Sequence, residues 1–321
     1  VTDALPEIED LCFLEVPKFF SLKGSVVTPA MMLELSRAVQ RVLIRPEVSG
    51  VVVTQPADNI EETAYFVSIS LSDVFQNQNS KPIVFTTCMN PEDPMFDGTK
   101  NLLDSIRVAC HDVKGDIPTV VVCMNGEIHA ASRAQLTHTN KASALASPGW
   151  GPVGYVDRDN VYFRCGALEL DTGLNFPMLK KLTAKVPVVK AMCGDDGALL
   201  EMVLEKEPDA IIVEGFDRGN LPAGMMPAIK KAVKKGIFVV ISTRASSGRV
   251  LDSTVFPGSV AQCLESGCLL AGETTTAKAR LLLMYVLSQK EAIQLKKEDP
   301  ERFFAYVQEC LDPVLTNRLF G

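Results

Sequence analysis

Apolar residues fall in short runs separated by polar, helix-periodic stretches, and this alternation repeats along most of the chain. Val51-Val52-Val53 reads as a strand buried on both faces, followed by a polar turn over 54–59 and a helix over 60–75. Further strands are predicted over 82–86 and 119–124, with a long polar loop over 87–98 and a helix over 100–110 between them. Asn125-Gly126 ahead of Glu127-Ile128-His129-Ala130 signals a hairpin. Upstream, Thr28-Pro29 marks a helix start, with Met31, Leu35, Ala38, Val39 and Val42 as its apolar stripe. A short helix over 3–10, capped by Asp3, and a strand over 11–16 precede it. Residues 137–157 read as irregular and 161–164 as a short strand.

Beyond about residue 185 the pattern restarts, with strands over 186–191, 210–214 and 237–241. Helices are predicted over 196–205, 222–235, 259–266 and 276–287, then a charged helical tail after 291. Strands alternating with helices at this interval imply parallel sheets with right-handed crossovers. The expected architecture is α/β, with an N-terminal domain over 1–165, a linker over 166–185 and a C-terminal domain over 186–321. In open sheets of this kind ligands bind just beyond the carboxyl ends of the strands. The turn after Val53 is therefore the first place to look for a site.

Charge narrows the partners. The 32 basic and 39 acidic residues give a net charge of −7, which argues against a nucleic-acid or anionic-membrane surface. No apolar run approaches the length needed to cross a bilayer. The chain opens with Val1-Thr2-Asp3 rather than a basic-then-apolar leader, so no secretory signal is expected. The nine cysteines are scattered and none has zinc-ligand spacing. They predict buried free thiols in a reducing, cytoplasmic compartment, with no metal and no cofactor.

Several segments, in sequence order, resemble the bacterial-type L-asparaginase/glutaminase family. Residues 58–71, with Glu61-Glu62-Thr63, resemble the helix after the family's Thr-His-Gly-Thr-Asp-Thr motif. Asp97-Gly98 with Asn101-Leu102, the run 121–130, and the run from Ser147-Pro148 to Asp157 are similar to three further family segments. In the second half Gly194-Asp195-Asp196-Gly197, Val213-Glu214-Gly215, Gly219-Asn220-Leu221-Pro222, Thr243-Arg244 and Lys278-Ala279-Arg280 also match. The resemblance covers nearly all of the chain. It implies two parallel-sheet α/β domains of the asparaginase/glutaminase type. It further implies an amide-hydrolysing site with a threonine nucleophile, supported by a second threonine, an aspartate and a lysine. A neutral hydroxyl needs such an adjacent base and oxyanion environment to attack an amide.

The polar positions of that site depart from the family pattern. The Thr-Gly-Gly-Thr-Ile motif of the first nucleophile is not found in this sequence. The central motif becomes Thr54-Gln55-Pro56-Ala57-Asp58-Asn59, which places Ala57 where the second catalytic threonine stands and Pro56 where a glycine stands. A lysine is expected four positions after Arg133, but the run Arg133-Ala134-Gln135-Leu136-Thr137-His138-Thr139 is one residue shorter than the family's and has no lysine. Cys88-Met89-Asn90 replaces the family's Ala-Met-Arg. What the resemblance leaves as ligand-binding candidates is Gly24, Ser25, Ala57, Asp58 and Asn220, the last implied to reach a neighbouring subunit. No residue is assigned as catalytic; Cys88 is a replacement-nucleophile candidate.

Each candidate also has a plain structural reading. Asp58 is a natural N-cap for the helix from Ile60, and Ser25 a loop hydroxyl near the cap at Thr28. Cys88 has no histidine near it in sequence and also reads as an inert buried thiol. His138 lies near the missing lysine as a candidate base, but the Thr-His-Thr around it also occurs in active members of the family it resembles, which points to a structural role. Asn220 suits a polar turn. The expected protein is an asparaginase-like pseudoenzyme forming homo-dimers or tetramers. It binds a small polar ligand, an amino acid or a dicarboxylate, or serves as a non-catalytic subunit. The alternative is an active amidohydrolase with a rearranged site or a threonine outside this sequence.

Overall fold

The computed structural model describes residues 5–17, 19, 24–76, 81–89, 97–111, 119–164, 175–251 and 254–312. The chain divides into two compact units, Val1–Met178 and Leu179–Gly321. Both are α/β, as the alternating pattern predicts.

The first unit is built on β1 (Val51–Thr54), β2 (Ile83–Thr86), β3 (Val120–Met124) and β4 (Glu127–Ala130). A small ribbon of β5 (Gln135–Leu136) and β6 (Leu145–Ala146) follows, then β7 (Gly154–Asp157) and β8 (Asn160–Phe163). The main sheet runs in the order β1-β2-β3-β4-β7-β8. Its first three strands are parallel, with Val52 beside Val84 and Val84 beside Val121. The remaining pairs are antiparallel. Asn125 and Gly126 turn the β3–β4 hairpin with φ of 53° and 76°, the left-handed pair that a tight hairpin of matching twist requires.

Helices α2 (Pro29–Leu43) and α3 (Ile60–Ser70) cover one face. Their Val39, Leu43, Ile60, Ala64 and Val67 pack on Ile83, Phe85, Val120 and Val122. Helix α5 (Gly98–Cys110) covers the other, with Val108 and Ala109 on Val84 and Val121. The one-turn α1 (Ile8–Leu11) seats Ile8 against Ile106 of α5.

Several expectations change here. Among the described strands β1 stands at the edge of its sheet, and Val51, Val52 and Val53 are each half-buried rather than buried on both faces. Residues 12–16 keep a strand-like alternation, with Cys12 and Leu14 packed inward and Phe13 98% exposed, yet no described strand pairs with them. The buried face of α2 is Met32, Leu33, Ser36, Val39 and Leu43, so only Val39 of the predicted stripe is buried. Ser36 is tolerated inside because its hydroxyl donates to Met32 O at 2.9 Å, which leaves no unpaired polar group against α3. Residues 137–157 hold β6 and β7 and are not irregular throughout. The helix over 60–75 breaks at Leu71, after which α4 (Ser72–Gln76) begins. Thr28 caps α2 as predicted, its hydroxyl accepting from Met31 N at 3.3 Å. Asp3, Lys23, Asn90 and Cys165 lie outside the described residues.

The second unit has a fully parallel sheet in the order β12-β11-β10-β9. Its strands are β9 (Val188–Lys190), β10 (Ala210–Gly215), β11 (Phe238–Thr243) and β12 (Leu269–Leu270). Helices α6 (Ala198–Leu204), α7 (Met226–Lys234) and α8 (Val260–Glu265) share a core with β10 and β11. Next come α9 (Thr276–Val286), α10 (Lys290–Glu298) and α11 (Pro300–Leu311). The predicted single tail is thus two helices, because Pro300 opens a new one and Asp299 Oδ1 caps it by accepting from Arg302 N at 3.0 Å. Past α11, Asp312 is 3% exposed at its side chain and receives Arg249 Nη1 at 2.6 and 2.7 Å on its two oxygens. Arg249 also lies 3.4 Å from Glu273. Among the described residues no helix is long and apolar enough to cross a membrane.

Candidate functional site

The carboxyl end of β1 leads through Gln55 and Pro56 into a 3-10 turn, Ala57–Asn59, and then α3. A second 3-10 turn, Gly24–Val26, packs against it. The structure therefore brings Gly24, Ser25, Ala57 and Asp58 together. Gly24 is buried, Ala57 half-buried, and Ser25 and Asp58 are exposed. A glycine is required at 24 because a Cβ there would stand 2.5 Å from Asp58 Oδ2 and 3.0 Å from Pro56 Cβ.

Side chains that the sequence did not single out hold the two turns. Gln55 Nε2 donates to Asn59 Oδ1 at 2.6 Å and to Thr63 Oγ1 at 2.9 Å. Asn59 Nδ2 donates across to Gly24 O at 2.9 Å, and Thr63 Oγ1 donates to Asn59 O at 3.1 Å. Asn59, not Asp58, occupies the N-cap of α3, and its side chain serves the Gly24 turn instead of the helix. The carboxylate of Asp58 receives no hydrogen bond from a described residue, so it faces solvent as an open acceptor beside the positive end of α3. Glu61, in the first turn of α3, accepts from Leu136 N and ties the helix to the β5–β6 ribbon. Thr137 follows in that ribbon, and its hydroxyl donates to Ala144 O at 2.9 Å.

Cys88 lies beyond β2, half-buried. Burial pushes its thiol up and the nearby Asp97 carboxylate adds to this, so it is held protonated and is a poor nucleophile. His138 Nδ1 accepts from Asn140 N at 3.2 Å and Lys141 N at 3.3 Å, a turn-stabilising role. His111 ends α5 with its ring 5.9 Å from that of Phe163. Among the described residues no three His, Cys, Asp or Glu side chains gather as a metal would require.

His129 is buried on β4, with Nδ1 2.9 Å from Ser147 Oγ and Nε2 3.3 Å from Glu127 Oε2. Desolvation lowers its pKa below the ordinary 6.5, outweighing the opposing pull of Glu127. The folded state thus holds a neutral ring, while the unfolded chain takes up the proton near pH 6.5. Stability is full above that pH and declines as pH falls from about 6.5 toward the folded pKa. Urea midpoints between about pH 7.5 and 5 should show this decline in the native protein and a shallower one in His129→Gln. Equal slopes would exclude His129 as the source.

Asn220 belongs to the second unit. Its backbone bridges to Phe216, with N–O distances of 2.8 and 2.9 Å, and its side-chain oxygen accepts from Val260 N at 3.2 Å at the start of α8. The neighbouring Gly219 has φ of 111° and a Cβ there would meet Val250 and Ile241 at 2.8 and 2.9 Å. Asn220 is thus used within its own unit, and the four residues at the β1 turn form the cluster within theirs.

Comparison with known proteins fits this arrangement. Residues 1–167 match the family described as Asparaginase, N-terminal, and 185–298 match the Glutaminase/Asparaginase C-terminal domain. The chain belongs to the asparaginase family. An L-asparaginase of Bacillus licheniformis is 30% identical over 300 residues, covering 91% of this chain and 89% of that protein. A glutamyl-tRNA(Gln) amidotransferase subunit of Pyrococcus horikoshii is 25% identical, over 91% of this chain and 66% of the relative. The crystal structure of a probable cytoplasmic L-asparaginase from Campylobacter jejuni superposes with a TM-score of 0.82 at 26% identity, over 97% of this chain and 92% of that one. The two α/β units are those of the asparaginase family, and the Ala57–Asn59 turn sits at a strand's carboxyl end, where α/β sheets place their ligands.

Proposed function

We propose that this asparaginase-family chain lacks standard L-asparaginase activity and uses the β1 turn to bind a small amino-acid-like ligand, or acts as a non-catalytic subunit. One observation carries the reading. At the turn that resembles the family's catalytic motif, position 57 is alanine, and the hydroxyls and amides around it are bonded to one another. A methyl group supplies neither nucleophile nor proton relay. The run from Arg133 to Thr139 holds no lysine, and the Thr137 hydroxyl in it donates to a main-chain oxygen. Asp58 remains as an open carboxylate suited to an amine. The relation to an amidotransferase subunit supports the subunit reading, since that relative is by its name one part of a larger enzyme. A homo-dimer or tetramer in the cytoplasm, away from nucleic acid and membranes, completes the proposal. Cys88, held protonated, speaks against the rearranged amidohydrolase.

Ammonia release from asparagine and glutamine tests the first half: no turnover is expected from the full-length protein. The double change Pro56→Gly and Ala57→Thr is expected to stay inactive as well, because a restored hydroxyl still lacks a lysine to take its proton. Asparagine hydrolysis by the unaltered protein at ordinary enzyme rates would overturn the proposal. Hydrolysis by the double variant alone would show that the lysine is dispensable. A thermal-shift series with amino acids and dicarboxylates tests binding, and a response lost in Asp58→Ala supports it.

A further inference from the structure

We propose that Cys12 and Cys110 form a reversible disulfide that tethers the N-terminal segment to the end of α5. Cys12 directly follows α1, its N–H donating to Ile8 O at 3.0 Å, and Cys110 is the last residue of α5. Both are free and half-buried, and both pack on the cluster of Leu5, Ile8 and Ile106. Cys12 acts directly on the Cys110 thiol, so the two sulfurs are near neighbours within that cluster. Cys263 and Cys268 are neighbours in the same way, but at 0% and 2% exposure they lie out of reach of a dissolved oxidant. Cys12 and Cys110 combine a partner with access.

Glutathione disulfide is the oxidant. The Cys12 thiolate attacks one of its sulfurs and expels a glutathione thiolate, which takes up the proton that Cys12 has lost. Cys110 then gives up its proton, attacks the Cys12 sulfur of the mixed disulfide and expels the second glutathione. One S–S bond is consumed and one formed, and two glutathione thiols are released. Burial, and then Cys12 itself, push the Cys110 thiol up to about 11, which assigns the first attack to Cys12.

The tether would fix Cys12 to the end of α5, within the same unit as the site at the β1 turn. It does not depend on what that site binds. The full-length native protein is equilibrated with reduced or oxidised glutathione, alkylated and digested without reduction. A peptide linking Cys12 to Cys110 is expected after oxidation and disappears with dithiothreitol. The oxidised protein should melt about 5 °C or more above the reduced form, since the bond closes a loop of nearly a hundred residues. Cys12→Ser and Cys110→Ser should show neither effect and melt with the reduced protein. Singly glutathionylated cysteines without a linked peptide overturn the disulfide. A linked peptide with no rise in melting temperature overturns the tether.

Discussion

Exchanging Arg249 for Ala is expected to destabilise the protein by about 3 kcal/mol or more, the cost of removing one partner from a buried ion pair. Asp312 keeps only 3% of its side chain exposed, and Arg249 Nη1 contacts both its oxygens within 2.7 Å. Without the guanidinium, a buried carboxylate loses its charge-assisted bonds. Glu273, 3.4 Å from the same guanidinium, then repels Asp312 without a cation between them. The carboxylate is seated against Gly272, where only a glycine leaves room for it, since a Cβ there would stand 2.3 Å from Asp312 Oδ2. Arg249→Ala with Asp312→Ala should cost less than the sum of the two singles, because the double variant loses the contact between the two side chains only once. Urea unfolding of the full chain measures all three. A loss within about 0.5 kcal/mol would mean that the pair behaves as a solvated surface contact.

Gly258→Ala is the second large effect, at roughly 2–6 kcal/mol: about 1–3 for the backbone conformation and about 1–3 for overpacking. Gly258 has φ of 88°, and a Cβ on it would stand 2.1 Å from Leu221 O and 3.1 Å from Ala223 N. These are backbone atoms and cannot rotate aside. The position is also bonded on both sides: its carbonyl accepts from Leu221 N at 2.8 Å, and its N–H donates to Gln262 Oε1 at 2.7 Å. Moving it disturbs the Asn220–Pro222 corner and the contact of Asn220 Oδ1 with Val260 N. Gly236→Ala separates the two causes, because Gly236 has φ of 73° but a Cβ added there would meet nothing within 4 Å. Equal urea midpoints for the two variants would show that the close approach at 258 adds nothing.

The strand-turn-helix alternation and the Asn125-Gly126 hairpin are legible in the chain because both are local: an apolar run and a two-residue turn carry their own signal. The place of the β1 turn was legible for the same reason. Its wiring was not. Gln55 and Asn59 read as surface amides, and the oxygen that Asn59 serves belongs to Gly24, 35 positions away. Asn220 reads as a turn residue, while its side chain accepts from the start of a helix 40 positions later. Residues 12–16 show strand alternation, but a strand needs a partner ladder, which no periodicity reveals. Ser36 shifts the buried face of α2 because a serine bonded to its own helix behaves as a core residue. β7 alternates cleanly, buried and exposed, yet its Gly-Tyr-Val-Asp sequence is short and set among glycines and a proline that suggest a loop.

Pro56 has a consequence beyond the turn it shapes. Val51 N donates to Pro82 O and Gln55 N to Thr86 O, so the odd-numbered residues of this stretch face β2. Val52 and Thr54 then point their N–H groups the other way, toward the side on which no described strand pairs with β1, and residue 56 would be the next donor in that row. Proline has none. A strand added on that side could not extend its ladder past Thr54, so the residue standing in for a glycine also limits how far any such strand can run beside β1.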